Sequence, residues 1–179
     1  VVAGLGVWYA VRRRARVGAT IAGIGLLVSA LAIAVVIPHY NAGAESSFYG
    51  RYDAIGGSAG GIVKTAVTHP WTLFEQAFQH RDFHFLLHLL VPLSFLFVLS
   101  PLVLVAFLPE AALNQLSATT TQTSIHFHYT AAAIPPLIAA TVLGAAALAR
   151  RFPTRCATVV IVAVAVAVGA NWKLGAVPL

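Results

Sequence analysis

From Val17 to Pro38 the chain carries no charged side chain, and four arginines, Arg12, Arg13, Arg14 and Arg16, stand just before it. As a helix rising 1.5 Å per residue this run is about 33 Å long, enough to cross the hydrocarbon core of a bilayer. Inside lipid every backbone polar group must find a partner within the protein, which restricts spanning segments to helices or a closed barrel. Composition agrees with a membrane solvent. Charged residues make up 9% of the chain, against about 25% in soluble domains. Hydrophobic residues make up 59% of the 179, more apolar surface than one domain of that size hides from water. Polar tracts and heptads are missing and Cys156 is the only cysteine, which excludes disorder, a coiled coil and a disulfide scaffold. The expectation is an all-α, polytopic helical membrane protein, with residues 1–179 forming one transmembrane domain.

The net charge of +6 does not point to nucleic acid, because position matters more than the sum. Arg12, Arg13, Arg14 and Arg16 form one cluster and Arg150, Arg151 and Arg155 another, together seven of the eleven basic residues. Both lie in short gaps between apolar runs, the pattern of cytoplasmic loop anchors, with binding to anionic lipid as the second reading. The first apolar run, Val1 to Val11, is too short to span. With no Met at its start, the chain reads as a fragment whose first span is truncated. Within the run from Val17, Gly18 with Ala22 and Gly25 with Ser29 have the small-xxx-small spacing that lets a second helix approach.

Residues 39–82 hold nearly all the acids, Glu45, Asp53, Glu75 and Asp82, among glycines, serines, tyrosines and histidines. This composition predicts an extracytoplasmic loop on the side opposite the arginines. Val63, Val67, Trp71, Phe74 and Phe78 recur at helical steps within it. Pro70 divides that stripe into two short helices, and Thr72 with Glu75 has capping-box spacing. The stripe suits an amphipathic helix lying in the membrane interface, or packing against the bundle.

Phe83 to Leu116 is long for one crossing and short for two. One crossing would put the second arginine cluster on the wrong side, so an even number is expected. The break is placed at Ser100-Pro101, giving helices Phe83–Leu99 and Pro101–Leu116 as two short spans or a re-entrant pair. The polar run Ser117 to Ser124 then returns to the outer side. Ile125 to Ala149 is read as a span interrupted by Pro135-Pro136, whose freed carbonyls would line a cavity. Cys156 to Trp172 closes the set; its Val/Ala alternation imitates a strand, but a lone strand in lipid would leave its backbone unsatisfied. The count is about five to six membrane segments.

Ionisable residues at the ends of spans are the first functional candidates. His80, His84 and His88 are spaced four apart and share a helical face, as metal ligands do, yet no carboxylate or cysteine completes a set there. His126 and His128 flank Phe127 and precede Tyr129, where a cavity is expected to open outward. Glu110 and Asn114 share a face. Arg51, between Tyr49 and Tyr52, is the best partner for Glu110 or else a phosphate-binding guanidinium. The hypothesis is that Arg51, Glu110, His126 and His128 converge on one outward-facing cavity.

The succession Phe48-Tyr49-Gly50-Arg51-Tyr52-Asp53-Ala54-Ile55-Gly56-Gly57-Ser58, then His69-Pro70, Pro92-Leu93, Ser100-Pro101, Leu108-Pro109-Glu110 with Asn114, and Ser124-Ile125-His126-Phe127-His128-Tyr129 resembles domain-of-unknown-function family 2079, DUF2079, a group of bacterial predicted membrane proteins. The resemblance covers Val17 to Ala149, and Ser124 to Tyr129 is its most specific piece. His80, His84 and His88 are outside the pattern. That family in turn is similar to the GT-C glycosyltransferases, membrane enzymes that take a sugar from a polyprenyl-phosphate carrier on the outer face. The resemblance implies a partial GT-C-like bundle in the bacterial plasma membrane, membrane lipid and a polyprenyl-phosphate-linked sugar as partners, and no nucleic acid. It implies a catalytic carboxylate upstream of these residues, acting as general base or as ligand of a divalent metal ion. The substrate-binding residues it suggests here are Tyr49, Arg51, Tyr52, Glu110, Asn114, His126, His128 and Tyr129, with Arg51, His126 and His128 on the phosphate. The other readings are a transporter or lipid-binding membrane protein without catalysis, and polar residues that serve only as interface anchors.

Overall fold

The computed structural model describes residues 1–44 and 46–174, and the side chains of these apart from residues 80–82 and 174. The described residues form helices and turns, with no strand among them. They include ten α-helices, joined by turns, 3-10 segments and one π-helical turn: α1 (Val2–Arg12), α2 (Ala15–Leu31), α3 (Ile37–Tyr40), α4 (Ala59–Thr68), α5 (Pro70–Ala77), α6 (His80–Leu90), α7 (Pro101–Leu104), α8 (Leu108–Gln115), α9 (Ile134–Arg151) and α10 (Cys156–Leu174). Three helical rods are long and apolar enough to cross a membrane: Ala15–Tyr40, Ile134–Arg151 and Pro153–Lys173.

The first rod joins α2 to α3 through a π-helical turn, Ala32–Val36, in which the Ile37 N–H reaches back five residues to the Ala32 carbonyl. Pro38 accounts for it. Proline has no N–H and its ring crowds the carbonyl four residues earlier, so the turn before it widens and the rod continues.

Helices α1 and α2 form a tight hairpin through Arg13 and Arg14, whose N–H groups both donate to the Tyr9 carbonyl. Gly18 meets the Ala10 backbone, Gly6 the Ala22 backbone and Gly25 the start of α1, so closely that a Cβ on Gly6 or Gly18 would overlap main chain. The small-residue spacing of Gly18, Ala22 and Gly25 thus serves contact with α1. The apolar remainder of α2 lies on the surface, as expected of a helix whose outer solvent is lipid.

The middle of the chain departs from the expected helix pair. α6 ends at Leu90, a 3-10 turn takes Val91–Leu93, and Ser94 and Phe95 both adopt left-handed backbone with φ of 53° and 55°. The expected helix Phe83–Leu99 is therefore broken near its middle, and Pro101–Leu116 is divided into α7 and α8. Pro92 cannot supply the N–H that would extend α6, and the Ser94 hydroxyl donates to the Ala163 carbonyl of α10, holding the kink on that helix. The 96–99 turn lies on α9, where the Leu96 carbonyl occupies the space a side chain on Gly144 would need. The broken segment supplies the core: Phe97, Val103 and Phe107 are buried against Ala133, Leu137 and Ala140 of α9 and its approach.

The two ends of this segment lie together. Gln115, closing α8, bonds the carbonyl of Ala77, just before α6, and Tyr52 bonds that of Leu113. Its middle lies at the opposite end of the bundle, where Leu99, Ser100 and Leu102 stand with Arg12, Arg13 and Arg150 around one cavity. The bundle therefore has an arginine end, where both basic clusters meet, and a polar end built from residues 46–79 and 113–130.

At the polar end, Pro70 separates α4 from α5 as expected, but Thr72 and Glu75 do not form a capping box. His69 stands at the N-cap and Pro70 begins the helix, placing Thr72 inside its first turn. The apolar stripe faces outward: Val67 is 78% and Trp71 65% exposed, and Phe74 stacks between Trp71 and Phe78. The stripe is not packed into the bundle of described residues.

The expected span from Ile125 also begins later. Residues 124–133 are turns and a short 3-10 segment, and α9 starts at Ile134 with Pro135 and Pro136 in its first turn. Their missing N–H groups would have had no helical partner there, so these prolines start the helix and free no carbonyl within it.

Candidate functional site

The polar end gathers Phe48–Ser58, His69-Pro70, Asn114 and Ser124–Tyr129 of the resemblance-bearing residues, while Ser100 stands at the arginine end. Ser47–Ile55 is a 3-10 segment kinked at Tyr52, and it ends at Gly56, whose φ of 119° is open to glycine but strained for other residues. Gly57 follows with φ of 59°, and Ser58 caps α4 by accepting from the Gly61 N–H at 3.0 Å. The two glycines turn the chain sharply, and a Cβ on Gly56 would overlap the Gly61 backbone. This turn fixes the 3-10 helix that carries Tyr49, Arg51 and Tyr52.

Arg51 is half-buried. Its guanidinium carbon stands 4.5 Å from the Phe48 ring centroid and 5.2 Å from that of Tyr129. Both are within cation–π reach, which holds the planar group without using its N–H donors. Those donors make no hydrogen bond or ion pair among the described residues. The Arg51 carbonyl accepts from the Ala118 N–H at 2.7 Å, pinning its backbone to the 117–124 turn. His128 lies against Tyr129 at 4.3 Å between ring centroids and is exposed.

Asn114 and Tyr52 fix the other side. Asn114 is 2% exposed and donates from Nδ2 to the Tyr129 carbonyl at 3.1 Å. Tyr52 donates from its hydroxyl to the Leu113 carbonyl at 3.0 Å. Arg51, Tyr52, Asn114, His128 and Tyr129, far apart in the sequence, are thereby joined through direct contacts. Tyr49 is half-buried on the same 3-10 helix.

Glu110 and His126 are not joined to this group. Glu110 sits half-buried in the first turn of α8, and no hydrogen bond or ion pair links it to Arg51, His126 or His128. His126 is exposed, its backbone N–H directed to the Ser124 hydroxyl at 3.3 Å. The Arg51 side chain has gone instead to the aromatic rings.

A buried polar seam underlies the cluster, and the sequence reading missed it. Ser117, Gln122 and Thr123, expected in a solvated loop, are buried, as are Gln76, Gln115 and Thr130. Ser117 donates to the Gln122 amide oxygen and accepts from the Thr119 N–H at 3.0 Å. Gln115 donates from Nε2 to the Ala77 carbonyl at 3.0 Å, while its Oε1 is buried with no partner among the described residues. The only signal in the sequence was the pairing of amides and hydroxyls in Gln115 to Gln122, which also describes a water-facing loop.

The described residues do not supply a divalent-metal site, since no three of their His, Cys, Asp or Glu side chains stand together in reach of one ion. Of the histidine row, His84 is exposed and His88 half-buried; the side chain of His80 lies outside the described residues. The cluster can offer a half-buried guanidinium with open donors, beside an exposed imidazole and aromatic faces, which is suited to holding an anionic oxygen group.

No curated protein and no solved structure matches the chain. A family of predicted membrane proteins, DUF2079, matches residues 1–173, extending beyond Val17 to Ala149 at both ends. With helices of membrane length and a family match over nearly its whole length, this chain belongs to the DUF2079 family of predicted membrane proteins.

Proposed function

We propose that the polar end binds the phosphate of a polyprenyl-phosphate-linked sugar on the outer face of the bacterial plasma membrane, and that the protein transfers that sugar as a GT-C-like glycosyltransferase. One observation carries the phosphate assignment: the Arg51 guanidinium is held by two aromatic rings while its N–H donors bond nothing within the described residues. A guanidinium fork matches phosphate oxygens, and partial burial strengthens the attraction. His128, stacked on Tyr129 beside it, adds a second donor. The exposed stripe of Val67, Trp71, Phe74 and Phe78 would lie in the lipid interface and bring the site to the depth of the carrier's phosphate.

In this reading the segment 83–116 makes two passages, down to Ser100 and back. Together with α1, the rod 15–40, α9 and α10 it completes five to six membrane segments in a partial GT-C-like bundle. The arginine end faces the cytoplasm.

The test is donor binding and turnover by the full-length protein in proteoliposomes supplied with polyprenyl-phosphate sugar. Arg51→Ala should weaken donor binding about 10- to 100-fold, the worth of hydrogen bonds to a charged group. Undiminished binding removes Arg51 from the phosphate. A second reading, a lipid-binding protein or transporter without catalysis, is favoured by the separation of Glu110 from Arg51 and by the broken segment lodged between α9 and α10. Tight donor binding with no sugar transfer to any acceptor would select it.

A further inference from the structure

The arginine end holds a cavity of about 290 Å³. Arg12 and Arg13 reach it from the α1–α2 turn, Arg150 from the end of α9, and Ser100 from the tip of the broken segment, with Trp8 and Leu143 completing the wall. An orientation signal requires only that basic residues lie on one side of the membrane. It does not require three arginines from two distant clusters to line one hollow together with a serine. Among the described residues no carboxylate lines the cavity; the five acidic side chains of the sequence all lie between Glu45 and Glu110. The volume is roughly ten times the ~30 Å³ share of one water molecule, room for a phosphate with a glycerol attached.

We propose that this cavity binds the phosphate-bearing headgroup of an anionic glycerophospholipid in the leaflet on the arginine side. A lipid is favoured over a free phosphate because the wall continues onto apolar surface. Leu99 and Leu143 line the cavity and are 49% and 41% exposed, giving acyl chains a face to lie along. Basic pockets between membrane helices recognise such headgroups by charge and by hydrogen bonds to phosphate oxygens. The site is at the opposite end from Arg51 and does not depend on the sugar-transfer reading.

Trp8 in the wall is a built-in reporter. The full-length protein with Trp8 as its one retained tryptophan, all others including Trp71 and Trp172 replaced by Phe, is placed in phosphatidylcholine nanodiscs and titrated with brominated phosphatidylglycerol or with brominated phosphatidylcholine. Half-maximal quenching of Trp8 is expected at a mole fraction about fivefold or more lower for phosphatidylglycerol, the worth of at least one basic group at an anionic surface. Arg13→Gln with Arg150→Gln should abolish most of that preference. Arg14→Gln with Arg16→Gln, which removes the same charge beside the cavity, should keep most of it. Equal quenching by the two lipids overturns the proposal without any arginine variant, and equal loss in both double variants reduces it to general surface attraction. Relief of quenching by glycerol 1-phosphate in solution would overturn the lipid assignment in favour of a soluble phosphate.

Discussion

Asn114 shows how much of the polar end rests on single side chains. Its buried amide reaches the carbonyl of Tyr129, and Tyr129 is one of the two rings that hold Arg51. Asn114→Ala removes the donor and leaves that carbonyl to find water. It should cost about 1–3 kcal/mol, seen as a lower midpoint of thermal unfolding in detergent micelles, and should loosen Arg51 with no change to Arg51 itself. Arg51→Lys separates two roles that Arg51→Ala removes together. A lysine keeps the charge but lacks the planar fork that stacks on rings and binds phosphate through paired donors. Donor binding by Arg51→Lys should therefore fall between wild type and Arg51→Ala; full activity with lysine would mean that charge alone suffices. The sequence placed Arg51 between two tyrosines and offered Glu110 as its partner. Only packing gives it Phe48 and Tyr129, because a ring seventy-eight positions away cannot be read from the motif that carries the arginine.

Among the elements, the α1–α2 hairpin brings main chain close to main chain at Gly6 and Gly18. Gly18→Leu would drive a side chain into the Ala10 backbone, whereas a Cβ on Gly23 would meet nothing within 4 Å. Overpacking of this kind costs about 1–3 kcal/mol or more. Gly23→Ala should be neutral or stabilise by up to about 1 kcal/mol, since alanine is the better helix former. Thermal unfolding of the two variants in the same micelles checks both, and equal midpoints would show that the hairpin is not closed by this contact. Gly144→Leu probes the broken segment in the same way, because the Leu96 carbonyl lies where its Cβ would stand. The spacing of Gly18, Ala22 and Gly25 showed a face for close approach, and proline marked the divisions at Pro70 and near Pro101. Neither could locate the left-handed pair Ser94-Phe95, since no glycine announces it and its hydroxyl contact with Ala163 joins residues remote in sequence.

For the whole molecule the decisive quantity is which end faces which compartment. The bundle places Ser100 with Arg12 and Arg150, and the 117–124 turn that carries Thr120 against the Arg51 backbone at the opposite end. Single cysteines introduced at these positions in a background with every native cysteine, Cys156 included, replaced by Ser should label from opposite sides of sealed vesicles, with Ser100→Cys matching Arg14→Cys. Labelling of Ser100→Cys and Thr120→Cys from the same side would rule out two passages by residues 83–116. The same gathering of the arginines makes the hollow at that end a place for an anionic headgroup, at a distance from the cluster around Arg51.

Much of this architecture was legible in the linear chain, because lipid imposes a rule that needs no tertiary knowledge: uncharged runs of sufficient length become helices, and arginines stay on one side. The strand-like Val/Ala run became α10 for that reason. The rule is silent where residues can satisfy their polar groups in more than one way. Ser117, Gln122 and Thr123 have the same composition in water or in a buried seam, Pro135 and Pro136 can interrupt a helix or begin one, and the Trp71 stripe can pack inward or face out. Partners distant in sequence made those choices, by offering a carbonyl, a ring or a groove at the right depth, and only the tertiary structure contains them.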